Sequence, residues 1–261
     1  MDSEVRKLNL RTGITVPCLV QGEPTAKPLL LLHAWGESRR SFDRLIPLLA
    51  NFRILAPDLR GQGEADKPPN GYSLQEQAED VAAVLDAVHM KSASILGSSS
   101  GGYIAQQFAV SHPEQVDALV LVGAPLTLNR RPAFADEVEA LTEPIDEDWV
   151  RQSLLWFPLG RPVPQWYLDD RVRDGLRMPV HVWKSALAGL CQATPPLDLG
   201  AIRAPTLILR GEQDDLLPLA DHEVLAARIR GSVLKVYPGV GHVVLWEDPE
   251  RVAEDTNGFL G

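Results

Sequence analysis

The sequence predicts an α/β fold: a mostly parallel, eight-stranded sheet with helices on both faces and a helical cap inserted after the sixth strand. Three observations carry this. Short apolar runs alternate with stretches of helical periodicity along most of the chain. The run Leu29 to Leu32 has no polar alternation, as expected of a strand buried on both faces. Finally, Gly97-Ser98-Ser99-Ser100-Gly101 joins the end of one apolar run directly to a helical pattern. That strand–turn–helix places Ser99 on a tight bend, its hydroxyl lifted clear of the sheet and the first amides of the next helix beneath it.

The elements follow in order. Residues 5–10 and 14–20 are β-like and are separated by Thr12-Gly13, a hairpin signal. Residues 28–33 form the buried run. A helical pattern spans about 41–49, with Phe42, Leu45, Ile46, Leu48 and Leu49 on one side. Residues 53–57 read as a strand that enters the glycine-punctuated loop 58–63. Ser73-Leu74-Gln75-Glu76 is a capping-box sequence opening a helix with Ala78, Val81, Ala82, Leu85 and Val88 at helical spacing. Ile95 and Leu96 lead into Ser99, and the helix beyond runs to about Ser111, stopped before Pro113. Residues 118–122 make the next buried strand.

From 126 to 199 no buried strand is evident. The segment holds Trp149, Trp156, Phe157, Trp166, Tyr167 and Trp183, with short helices expected at about 146–156 and 179–190. It reads as a cap over the sheet edge, its aromatics either forming a core of its own or lining a pocket. The core domain is then 1–125 with 200–261. Strands resume at 205–211 and 232–237, with an amphipathic helix near 221–229 between them. Asp248-Pro249 supplies an N-cap and a first-turn proline for the last helix.

The 261 residues suffice for one large α/β domain or two small ones, and 45% hydrophobic with 23% charged residues fits a sizeable core. A net charge of −10 without a basic block makes nucleic acid and anionic membranes unexpected partners. Residues 1–7 hold no apolar signal core, and Cys18 and Cys191 form no metal-type spacing. A cytoplasmic protein acting on a small molecule is expected, with no metal or organic cofactor; the oligomeric state is left open.

Three chemically related residues stand at successive strand ends: Ser99, then Asp214, then His242. A serine hydroxyl attacks poorly until a base removes its proton; imidazole can take and return that proton, and a carboxylate behind the ring fixes its tautomer. With these residues the chain resembles an α/β-hydrolase-fold enzyme over essentially its full length. The resemblance rests on His33-Ala34-Trp35-Gly36, Gly97-Ser98-Ser99-Ser100-Gly101, Gly211-Glu212-Gln213-Asp214 with Pro218, and Gly241-His242, and loop 58–63 is also similar. It implies Ser99 as nucleophile, His242 as base and Asp214 as acid, with Asp215 pointing outward. Residues 122–126, where some relatives carry the acid, have none.

The resemblance also implies an oxyanion hole built from the backbone amides of Trp35 and Ser100. His33 is expected to brace its loop and, with Trp35, Trp156 and Trp183, to stand at the substrate pocket. Two positions depart from the family pattern. Ala34 replaces a usual glycine, so its loop must avoid positive φ or bear strain; Ser100 replaces a larger apolar residue, leaving room and a hydroxyl near the developing charge. The expected activity is cleavage of a small, largely apolar ester or lactone through an acyl-enzyme. Serine at 99 argues against the dehalogenase and epoxide-hydrolase branches, and the small insertion against long triglycerides. Residues 101–106 are similar to enol-lactone hydrolases. Alternatives on the same scaffold are a ring-cleavage carbon–carbon hydrolase, a cofactor-free lyase, perhydrolase or oxygenase, and a small-molecule receptor.

Overall fold

The computed structural model describes residues 3–261; Met1 and Asp2, the start of the expected core domain, lie outside it. Eight strands form one sheet: β1 (Ser3–Asn9), β2 (Thr15–Gln21), β3 (Lys27–Leu32), β4 (Phe52–Pro57), β5 (Ala93–Ser98), β6 (Val116–Val122), β7 (Thr206–Gly211) and β8 (Val233–Tyr237). Their spatial order is β1-β2-β4-β3-β5-β6-β7-β8. The first two pairings, β1 with β2 and β2 with β4, are antiparallel, and the rest are parallel. The hairpin at Thr12-Gly13 makes the first antiparallel pair.

Ten α-helices accompany the strands: α1 (Leu74–Ala87), α2 (Ser100–Ser111), α3 (Ala135–Glu139), α4 (Glu147–Ser153), α5 (Gln165–Leu176), α6 (Val180–Cys191), α7 (Pro196–Leu199), α8 (Leu219–Arg228), α9 (Val244–Glu247) and α10 (Pro249–Leu260). The four leucines of β3 show how the layers form. Leu30 and Leu32 join a core with α1, α2 and α8, while Leu29 and Leu31 join the opposite core with α9 and α10. All four are fully buried, which is why that run needs no polar alternation. No helix among the described residues is long and apolar enough to cross a membrane.

The capping box forms as its sequence requires. The Ser73 hydroxyl accepts from the Glu76 amide, and the Glu76 side chain accepts from the Ser73 amide. Asp248 caps α10 by accepting from the Arg251 amide. The α-helix expected over 41–49 is absent. Two 3₁₀ turns, Arg39–Phe42 and Ile46–Leu48, stand there instead. Pro47 has no N–H to give the carbonyl four residues back, so an α-helix through it would lose a bond. Phe42, Leu45, Ile46 and Leu49 are buried all the same, while Leu48 is exposed.

Between β6 and β7 the chain is helical, α3 to α7, with no strand. The helices expected at 146–156 and 179–190 correspond to α4 with the 3₁₀ turn Leu154–Trp156, and to α6. Helix α5 was not expected, because its buried face carries Asp170, Arg171 and Asp174 and so lacks an apolar stripe. The two carboxylates are met across the fold, Arg40 Nη2 donating to Asp170 at 3.1 Å and Ser38 Oγ to Asp174 at 2.8 Å, while Arg171 pairs with Asp174 of the same helix at 2.8 Å. Burial pushes the Asp174 carboxyl up to about 6, against the pull of Arg171. Glu247 ties this segment to the loop after β8. Its carboxylate accepts from the amides of Gly160 and Arg161, each at 2.8 Å, and from Gly241 at 3.0 Å.

At the turn after β5 the main chains approach too closely for a side chain. A Cβ at Gly101 would stand 2.2 Å from the carbonyl oxygen of Leu32, and one at Gly97 2.6 Å from that of Gly101. Gly101→Ala should therefore lower stability in urea unfolding by about 3 kcal/mol or more. Glu247→Ala strands the buried Gly241 amide and should cost roughly 1–3 kcal/mol. A wild-type unfolding midpoint for either variant would contradict these assignments.

Candidate active site

The site lies beyond the carboxyl ends of the parallel strands, where each contributing loop begins. Ser99 follows β5 and adopts φ 48°, ψ −117°. Among the described residues His89 is the only other non-glycine residue with positive φ. The strained backbone throws the Ser99 side chain out of the strand–helix line. The Ser99 amide donates to the Val122 carbonyl at 2.8 Å, which fixes the bend to β6.

His242 comes from the loop between β8 and α9, and Asp214 from the loop after β7. Ser99 Oγ lies 3.0 Å from His242 Nε2, and His242 Nδ1 lies 2.9 Å from Asp214 Oδ2. A carboxylate only accepts, so Nδ1 carries the proton and Nε2 faces the serine as an acceptor. The other Asp214 oxygen accepts from the amides of Leu216 at 3.0 Å and Leu217 at 2.9 Å. Burial works to raise this carboxyl, but His242 and the backbone donor Leu217 hold it below the usual carboxylate range. Asp215 is exposed, pointing away. Such a row can move a proton off a hydroxyl and stabilise the imidazolium that results.

Arg210, at the end of β7, carries no signal in the sequence beyond an arginine in an apolar strand. Its buried guanidinium donates to the carbonyls of Gly211 at 2.6 Å and Asp214 at 3.1 Å, and holds the acid loop in shape.

The loop after β3 forms the opposite wall. His33 is wholly buried. Leu59 N–H donates to its Nε2 at 2.9 Å, so its Nδ1–H donates to the Ala34 carbonyl, also at 2.9 Å. It braces loops 33–37 and 58–63 and does not line the cavity, contrary to its expected place at the substrate pocket. Burial lowers its pKa, in keeping with a neutral ring. Ala34 does not need positive φ, because Gly36 takes the left-handed turn at φ +84°. The Gly36 amide donates to Gln62 Oε1 at 2.7 Å, and Trp246 Nε1 donates to Glu37 Oε1 at 3.0 Å. The amides expected to face a substrate oxygen differ. That of Ser100 has no acceptor among the described residues, whereas that of Trp35 donates to Ser100 Oγ at 2.7 Å.

Ser99 and His242 open onto a cavity of about 90 Å³. Trp35, Trp156 and Trp183, which the sequence reading set at a substrate pocket, line it, and Phe134, Phe157 and Trp246 line it as well. Phe134 stacks on Trp156 at 4.5 Å and on Trp35 at 5.9 Å, Trp183 meets Trp35 edge-on at 4.7 Å, and Phe157 covers the His242 ring at 5.6 Å. Trp149 touches Trp156 and Trp183 from behind. Trp166 is exposed, and Tyr167 is buried elsewhere, donating to the Ser41 carbonyl. Among the described residues no group of three or more His, Cys, Asp or Glu is placed to hold a metal ion.

The sequence and the fold have relatives among known proteins. A non-heme chloroperoxidase from Burkholderia pyrrocinia is 27% identical, the match covering 92% of this chain and 93% of that protein. An esterase from Exiguobacterium antarcticum superposes with a TM-score of 0.84 at 25% identity, over 98% of this chain and 99% of that one. Est816, described as an enzyme degrading N-acyl homoserine lactones, superposes at 0.80 with 27% identity, over 97% of this chain and 100% of that one. The model of the alpha/beta hydrolase fold matches residues 27–249. Fold, strand order and family match agree, and the chain belongs to the alpha/beta hydrolase fold family.

Proposed function

We propose that this protein is a serine hydrolase that cleaves a small, largely apolar carboxylic ester or lactone through an acyl-enzyme. The observation that carries the reading is the hydrogen-bonded row Ser99–His242–Asp214 opening onto an aromatic-walled cavity. Ser99 Oγ attacks the carbonyl carbon and its proton passes to His242 Nε2. Asp214 steadies the imidazolium through Nδ1–H. The carbonyl oxygen takes the negative charge at the amino end of α2, where the Ser100 amide has no other acceptor. Collapse expels the alkoxide, which leaves with the proton from His242. Water, deprotonated by the same ring, then attacks the acyl carbon and frees Ser99.

Residues 126–199 act in this reading as a cap, closing over the core made by 1–125 and 200–261. Phe134 and Trp183 from the cap meet Trp35 of the core, Trp156 stacks on Phe134, and together they leave space for a short acyl or small ring. The esterase and lactone-degrading relatives support the bond type; the substrate class rests on the cavity.

Ser99→Ala should lower turnover of p-nitrophenyl butyrate by roughly 10³-fold or more, and His242→Ala by a similar factor. A fluorophosphonate should add to the wild-type chain by intact mass and leave Ser99→Ala unmodified. Turnover surviving in Ser99→Ala would remove Ser99 as nucleophile. Across p-nitrophenyl esters, kcat/KM should be about tenfold or more higher for the butyrate than for the decanoate. A preference for the decanoate would refute the small-substrate reading.

A further inference from the structure

We infer that the Ser100 hydroxyl is itself an oxyanion donor, standing between the Trp35 amide and the substrate oxygen. The inference rests on the serine-hydrolase reading and changes how its oxyanion hole is built. A backbone amide has one proton to give. That of Trp35 is given to Ser100 Oγ at 2.7 Å, a short and committed bond. The hydroxyl that receives it keeps its own proton, for which no acceptor exists among the described residues. The amide of the same residue has none either. Ser100 opens the twelve-residue helix α2, directly after Ser99, and lines the cavity with it.

One serine thus brings two unspent donors, N–H and Oγ–H, to the place where charge develops. Only Cα and Cβ separate N from Oγ, so the two donors of this one residue can converge on one oxygen. Accepting from Trp35 also polarises the hydroxyl and strengthens it as a donor. For the Trp35 amide to reach the substrate directly, the Ser100 side chain would first have to leave that bond and turn to another rotamer.

The step balances without any further reactant. As the Ser99 Oγ–carbon bond forms, the carbonyl π pair moves onto oxygen, and the Ser99 proton goes to His242 Nε2. The new oxyanion accepts from Ser100 N–H and Ser100 Oγ–H, while Trp35 N–H remains on Ser100 Oγ. No proton leaves Ser100. When the tetrahedral species collapses, the pair returns to the carbonyl and both donors are as before.

The test compares wild type, Ser100→Ala and Ser100→Thr on p-nitrophenyl butyrate, with phenylboronic acid as a probe of the tetrahedral state. Boron takes Ser99 Oγ as a fourth ligand and sets a hydroxyl where the oxyanion would lie. Ser100→Ala should lower kcat roughly ten- to hundredfold with KM little changed, and weaken phenylboronic acid by a similar factor. Ser100→Thr should recover most of both. Circular dichroism melting of each variant separates these effects from loss of fold. A correctly folded Ser100→Ala enzyme that matches or exceeds wild type in kcat overturns the relay, because the freed Trp35 amide then serves alone. Loss of kcat in Ser100→Ala with unchanged boronic-acid affinity overturns it too. A wild-type chain that neither turns over ester nor labels with fluorophosphonate removes the hydrolase reading, and the relay with it.

Discussion

The contact on which the rest depends is between two stretches of main chain, the end of β3 and the first turn of α2. They approach so closely that no side chain fits between them at Gly101. This brings the amino end of a helix against the loop that follows β3. It forces Ser99 into a backbone conformation that non-glycine residues rarely hold, and it carries Ser100 within hydrogen-bond reach of Trp35, sixty-five positions earlier. Strain at one residue is tolerated because β5 is paired on both sides and α2 is buried on nearly its whole length.

The other two members of the row depend on loops that would be free to wander without buried braces. Arg210 gathers the carbonyls of the acid loop, and Glu247 gathers amides of the base loop and of the segment over it. Each satisfies several backbone groups with one charged side chain. Removing such a group leaves partners without a substitute, which is costlier than the loss of a surface ion pair. The same economy of burial applies to α5, whose carboxylates Asp170 and Asp174 stay inside because Arg40 and Ser38 meet them, with Asp174 also paired to Arg171.

What was readable in the sequence follows the strength of the local signal. Most strands stand where apolar runs are bounded by turn residues, and Ser99, Asp214 and His242 are legible because each lies in the connection that follows a strand. The 3₁₀ turns near Phe42 escaped because apolar spacing alone does not register a proline that cannot donate. Helix α5 escaped because its inward face is ionic. The cavity wall was only partly legible: Trp35, Trp156 and Trp183 could be guessed as large aromatics near the right loops, but Phe134 stands in a stretch with no periodicity. His33 was read both as a brace and as a wall residue, and only its two hydrogen bonds separate these roles. The bond from Trp35 to Ser100 had no signature at all, since it joins two residues by side-chain rotamer.

The aromatic cluster has a consequence for observing the molecule. Of six tryptophans, four touch in a chain from Trp35 through Trp183 and Trp149 to Trp156, and Trp246 borders the same space, while Trp166 alone is half exposed to solvent. Near-ultraviolet absorption and emission therefore come mostly from one small region. The protein carries its own optical gauge: indole light reports the polarity and occupancy of the chamber, with no attached dye.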